Sequence, residues 1–182
     1  MSQINTQRRQ FLKIATAMTA TVMACSSMQV MAGVLTNEKK MDSTEQAVFK
    51  KMLAIALPTE GSTLVDPATL PVIATIEGAL LAGMPAHIRK GLNQGIHYFN
   101  QSAEKHYGKP FTHLSDAQAT EFVDAWSDSH VAPHRALSMG IKKLTVLAYW
   151  AIPTTWAPLG YDGPVSEKWG LKKRGVTPEP QA

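Results

Sequence analysis

The sequence predicts an all-α fold: a single compact helical domain of about five helices, closed by an irregular Trp/Pro/Gly-rich segment on its C-terminal side. Three observations carry this. Apolar residues recur at spacings of three and four in successive stretches. Proline and glycine concentrate between those stretches, where helices end and turns begin. Alternation of β-branched residues, the mark of strands, is nearly absent.

The first helix opens at a capping box, Ser43-x-x-Gln46, in which each side chain satisfies a backbone N–H at the helix start. Val48, Phe49, Met52, Leu53 and Ile55-Ala56 follow at helical spacing. Leu57-Pro58 ends the helix, because a residue before proline disfavours the helical region. Thr59–Asp66 reads as a turn-rich loop. Pro67 and Pro71 suit the first turn of a second helix running to about Leu81, broken at Gly83-Met84-Pro85. A third helix carries Ile88, Leu92, Ile96 and Phe99 on one face, and Tyr107-Gly108-Lys109-Pro110 is a loop. The glycines at 83, 91 and 95 fall in helical context and are expected to permit close packing.

A second capping box, Ser115-x-x-Gln118, opens a helix with Phe122, Val123 and Trp126 inward. Pro133 starts a fifth helix through Leu137, Ile141, Leu144, Leu147 and Ala148, ending near Ile152-Pro153. Thr154–Pro164 fits no regular period, and Trp169–Ala182 reads as a polar tail.

Ahead of the helices stands Gln7-Arg8-Arg9-Gln10-Phe11-Leu12-Lys13. Paired arginines followed by Phe-Leu-Lys, here Arg8, Arg9, Phe11, Leu12 and Lys13, form a twin-arginine export signal. The small, apolar, uncharged run Ile14–Ala24 is its h-region. This route exports folded proteins, so periplasmic localisation is expected. Two processing sites compete. Val30-Met31-Ala32 before Gly33 has the small-x-small pattern of signal cleavage. Val22-Met23-Ala24-Cys25 resembles a lipobox in which Cys25 would be lipidated, although Met23 is unusual there. Cleavage after Ala32 is the favoured reading. It divides the chain into a leader over 1–32, a helical domain over 33–168 and a tail over 169–182. No other stretch approaches the roughly 18 apolar residues of a membrane-spanning helix.

The formal net charge is +4. Three of those charges, Arg8, Arg9 and Lys13, leave with a leader that has no acidic residue, so the remainder is near +1. Such a balance offers no electrostatic footprint for nucleic acid, and Lys172-Lys173-Arg174 reads as a solvated tail. Cys25 is the single cysteine. That excludes disulfides, thiolate iron–sulfur ligation, CxxCH haem attachment and thiol catalysis from the domain.

Catalytic and cofactor-binding constellations are not legible. His130 and His134 are four apart, a metal-ligand spacing on a helix, but Pro133 between them marks a helix start that would break the shared face. His87, His97, His106 and His113 are scattered, and Glu77, Glu104 and Glu121 read as solvated side chains. There is no G-x-S-x-G elbow, P-loop or G-x-G-x-x-G. No catalytic, cofactor-binding or metal-binding residue is assigned.

The dense signal is Leu147–Pro164, which holds two of the four tryptophans and two of the four tyrosines. Tyr and Trp supply large, stiff contact area and are enriched at interface hot spots. Tyr149-Trp150, Pro153, Trp156 and Leu159-Gly160-Tyr161-Asp162-Gly163-Pro164 resemble the signature of the gluconate 2-dehydrogenase subunit 3 family. An aromatic pair, a proline, a tryptophan and Gly-Tyr-acidic-Gly-Pro make up that pattern. The twin-arginine leader and the Leu57-Pro58 helix end agree with it, whereas Gly61–Pro71 and Met84–His87 match nothing assignable to the family.

The resemblance implies a small subunit without a cofactor of its own, in a periplasmic dehydrogenase complex associated with the membrane. It implies a large subunit of the glucose-methanol-choline oxidoreductase type that holds FAD, and a cytochrome c subunit whose haem takes the electrons. It also implies that the small subunit assists folding and escorts a leaderless large subunit through the twin-arginine translocase. The partner interface is then expected at Tyr149, Trp150, Pro153, Trp156, Leu159, Gly160, Tyr161, Asp162, Gly163 and Pro164. The competing readings are a free-standing periplasmic helical protein with a metal at His130 and His134, and a small enzyme.

Overall fold

The computed structural model describes residues 40–59 and 61–171. The leader residues Arg8, Arg9, Phe11, Leu12 and Lys13, the lipidation candidate Cys25 and the boundary at 32 lie outside them. Seven α-helices and no strand occur among the described residues, so the domain is all-α. We number them α1 Ser43–Ala56, α2 Val72–Thr75, α3 Ala86–Ser102, α4 Glu104–Tyr107, α5 Asp116–Ser127, α6 Ala132–Trp150 and α7 Val165–Lys168. The five expected helices correspond to α1, α2, α3, α5 and α6; α4 and α7 are single turns. None is long and apolar enough to cross a membrane.

The long helices α1, α3, α5 and α6 pack on one another, with α1 touching all of the others. Val48, Phe49 and Met52 of α1 meet Leu92, Ile96 and Phe99 of α3 and Ile141 and Ala148 of α6 in one fully buried core. Phe99 is its aromatic centre. Its ring takes Phe111, Phe122 and Trp126 edge-on at centroid distances of 4.8, 5.0 and 4.8 Å, the arrangement that ring quadrupoles favour. Gly95 lets α3 approach α6 closely: a Cβ there would stand 3.2 Å from a Leu137 methyl. Gly83, by contrast, faces open space and serves no close packing.

The Ser115/Gln118 capping box forms as expected. The first one forms one residue earlier, with Asp42 as N-cap and Glu45 at the third helical position, not Ser43 and Gln46. Glu45 has a second task that fixes this register. It is fully buried and takes both arms of the Arg89 guanidinium, Nη1 to Oε1 and Nη2 to Oε2, each at 2.6 Å. Pro67 does not begin the second helix. Pro67–Thr69 is a separate 3-10 turn, because Leu70, placed before Pro71, is extended (φ −109°, ψ 152°). α2 then continues as a π-helical stretch, Ile76–Leu81. Its Glu77 is not a free solvated carboxylate: Oε1 accepts the Met41 N–H at 2.9 Å.

Candidate partner-docking surface

The Trp/Pro/Gly segment is an ordered structure built on the end of α6. Pro153 forces Ile152 into an extended conformation (φ −91°, ψ 116°), so α6 stops at Trp150. Two 3-10 turns follow, Pro153–Thr155 and Ala157–Leu159. The second is closed by Gly160 in the left-handed region at φ 67°. Trp156 is the hub. Its Nε1 donates to the Trp150 carbonyl at 2.8 Å, satisfying one of the carbonyls a helix end leaves open. Tyr161 stands edge-on to its indole at 5.3 Å. Gly163, at φ 104°, is buried under the same ring, where a Cβ would come within 3.7 Å of it. Asp162 forms an ion pair with Lys168, tying the loop to α7.

These contacts divide the expected interface residues into three groups. Tyr149 is wholly inside the domain, and its hydroxyl donates to the Val65 carbonyl at 2.7 Å. Burial pushes its phenol pKa up, against that hydrogen bond, with the Asp66 charge adding to the rise. Tyr149 is therefore a core residue and not a contact residue. Its place on the buried face of α6, next to Ala148 and Thr145, is the reason. Trp150, Trp156 and Pro164 are half-buried, and Gly163 is buried; they shape the loop. Pro153, Leu159, Gly160, Tyr161 and Asp162 are on the outside. Leu159 and Tyr161 are 55% and 47% exposed, large apolar groups held on a backbone that proline and glycine have already fixed.

The structure does not bring His130 and His134 onto one helical face. α6 starts at Ala132, so His130 lies outside the helix and is exposed. His134 stacks on Trp126 at 4.3 Å, with Ser129 Oγ 3.4 Å from Nδ1 and Tyr98 Oη 3.4 Å from Nε2. Burial disfavours its charged form and lowers its pKa below the usual histidine value. It borders an open groove of about 560 Å³ with Tyr98, Tyr107 and Glu121. No group of three His, Cys, Asp or Glu among the described residues could hold a metal ion.

Sequence reasoning missed one polar cluster at the start of the domain. Arg89, besides gripping Glu45, donates to the Lys40 carbonyl at 2.9 Å. Asp42 accepts from Asn93 Nδ2 and His97 Nε2 at 2.8 Å each. Burial raises the Asp42 pKa, but bonds from His97, the Glu45 N–H and Asn93, with the His97 charge, outweigh it and bring it to about 2. Two helices thus clasp the point where the chain enters the domain. A signal was available: Glu45 precedes Val48, Phe49 and Met52 on the apolar stripe of α1, and Arg89 shares a face with Leu92 and Ile96. A charge on each of two apolar stripes is the pattern of a buried pair.

Together these elements define a small all-α domain that ends in an ordered Trp/Pro/Gly-rich loop. A family model described as gluconate 2-dehydrogenase subunit 3 matches residues 43–163, from the first residue of α1 into the Gly-Tyr-Asp-Gly-Pro element. The chain belongs to that family. No curated protein and no solved structure matches it.

Proposed function

We propose that this chain is the non-catalytic small subunit of a periplasmic FAD-dependent dehydrogenase complex acting on a sugar, polyol or sugar acid. It serves as folding partner and export escort for the flavoprotein large subunit, and a cytochrome c subunit accepts the electrons. Membership of a family named for a dehydrogenase subunit supports the coarse part of this reading. The finer part rests on the sequence: a leader for folded cargo precedes a domain with no legible cofactor motif. The signal then serves a partner that takes up its flavin in the cytoplasm.

The structural observation that supports docking to a partner is the exposure of Leu159 and Tyr161 on an ordered turn. A preformed loop loses little conformational entropy on docking. Truncating an interface anchor of this kind costs about 2 kcal/mol, roughly thirtyfold in affinity. Leu159→Ser and Tyr161→Ala should weaken co-purification with the large subunit and leave helix content unchanged. Trp156→Ala should instead loosen the loop itself, lowering the melting temperature. If the two surface variants bind at full strength, this docking site is wrong. Replacing Arg8 and Arg9 by Lys should strand both subunits in the cytoplasm; a dehydrogenase still exported in full would refute the escort role.

A further inference from the structure

The outer faces of α5 and α6 carry opposite charges side by side. Only Asp128–Val131 connects the two helices, which therefore form an antiparallel hairpin. Ser138 Oγ on α6 lies 3.2 Å from Ser127 Oγ and donates to the Val123 carbonyl at 3.4 Å, which fixes their register. α6 contains Arg135, Lys142 and Lys143 and no acidic residue. α5, with its cap Asp128, contains Asp116, Glu121 and Asp124 and no basic one. Lys142, Lys143, Asp124 and Asp128 are exposed, and none of these four belongs to an ion pair among the described residues. Met139 and Leu147 flank the Lys142-Lys143 pair along α6, 56% and 40% exposed. The uncharged outward positions of α5 hold small side chains, Ala117, Thr120 and Ala125.

We propose that this hairpin face is a dimer interface, covered by the same face of a second copy of the chain. A face with an acidic row on one helix and a basic row on the next is its own complement. That self-complementarity selects a second copy over an unrelated partner, which would have to match both rows independently. A half-turn about an axis running between the helices lays α6 of each copy on α5 of the other, so every contact occurs twice. The serine register puts Arg135 and Lys142 of one copy level with Asp128 and Asp124 of the other. The exposed Met139 of each copy then projects over small side chains rather than into a bulky surface. The two helices present a face of roughly 25 by 20 Å. Two copies bury about 1,000 Å² in all, the lower end for a specific complex, and the charged rows make the association sensitive to salt. The proposal does not rest on the escort reading and does not use Leu159 or Tyr161.

Analytical ultracentrifugation of the full chain tests this by swapping the rows. The wild-type chain should dimerise in about 0.05 M salt and dissociate towards monomer in about 0.5 M salt, where exposed charge pairs are screened. Lys142→Glu with Lys143→Glu reverses the basic row, and Asp124→Lys with Asp128→Lys reverses the acidic one. Each double variant alone sets like charges face to face. Its dimer dissociation constant should rise by about a hundredfold, with helix content unchanged. Mixed in equal amounts, the two variants again offer opposite rows and should form a heterodimer. Four results would overturn the proposal. One is a wild-type chain that stays monomeric at low salt. Another is association that survives either reversal. The third is a mixture of the two variants that remains monomeric. The fourth is a series of ever larger species with rising concentration, which marks an open head-to-tail contact rather than a closed pair.

Discussion

Replacing Arg89 by Met should destabilise the domain severely, although it substitutes an apolar residue in a buried place. The Arg89 side chain is 3% exposed and that of Glu45 is 0% exposed, so neither charge reaches solvent. Arg89→Met removes two charge-assisted bonds of 2.6 Å and the 2.9 Å bond to the Lys40 carbonyl. Glu45 keeps its contact with the Asp42 N–H at 3.0 Å but is left as an uncompensated buried carboxylate. Breaking a buried pair from one side costs about 3–5 kcal/mol, a large share of the roughly 5–15 kcal/mol that holds a domain folded. For a chain of this size the melting temperature should fall by roughly 6–20 °C. The double variant Glu45→Leu/Arg89→Met should recover most of that loss, since well-packed apolar residues replace such pairs at little cost. Urea unfolding of the two single variants and the double one measures the coupling. A single-variant cost below about 1 kcal/mol, or a double variant as unstable as Arg89→Met, would show that the pair does not hold the start of α1 to α3.

The remaining predictions follow from other contacts of the same kind. The Asp42 carboxyl has a folded pKa lowered from 3.8 to about 2. Its stabilising contribution is therefore complete above the ordinary carboxylate range and is lost as pH falls towards 2. Asp42→Asn keeps a capping side chain, so it should flatten the decline of the urea midpoint between pH 5 and pH 2; an unchanged acid limb would assign that decline to other carboxylates. Tyr149→Phe should cost about 1 kcal/mol by removing the 2.7 Å bond to the Val65 carbonyl. The same variant should leave co-purification with the large subunit intact, because the ring is buried; weakened binding would return Tyr149 to the interface.

The helical class, the positions of the long helices and the family were legible in the sequence. Each depends on near neighbours along the chain. Ile88, Leu92, Ile96 and Phe99 share a face because a helix repeats every 3.6 residues, and Ser115 caps α5 because Gln118 is three residues away. The Arg8-Arg9-Gln10-Phe11-Leu12-Lys13 run is likewise a linear pattern, as is the Gly-Tyr-Asp-Gly-Pro element. Register and burial were different, because they depend on partners far along the chain. Asp42 rather than Ser43 caps α1 because Glu45 must face Arg89, 44 positions away. Tyr149 and Tyr161 are both aromatic residues of one segment, and no local rule separates them. The packing of α6 turns one towards Val65, and the Pro153 and Gly160 turns leave the other outside. Local periodicity therefore determined which elements form and what family they belong to. Tertiary contact decided which side chains are core, which are clasp and which are left exposed, because burial is set by the neighbours that folding brings together.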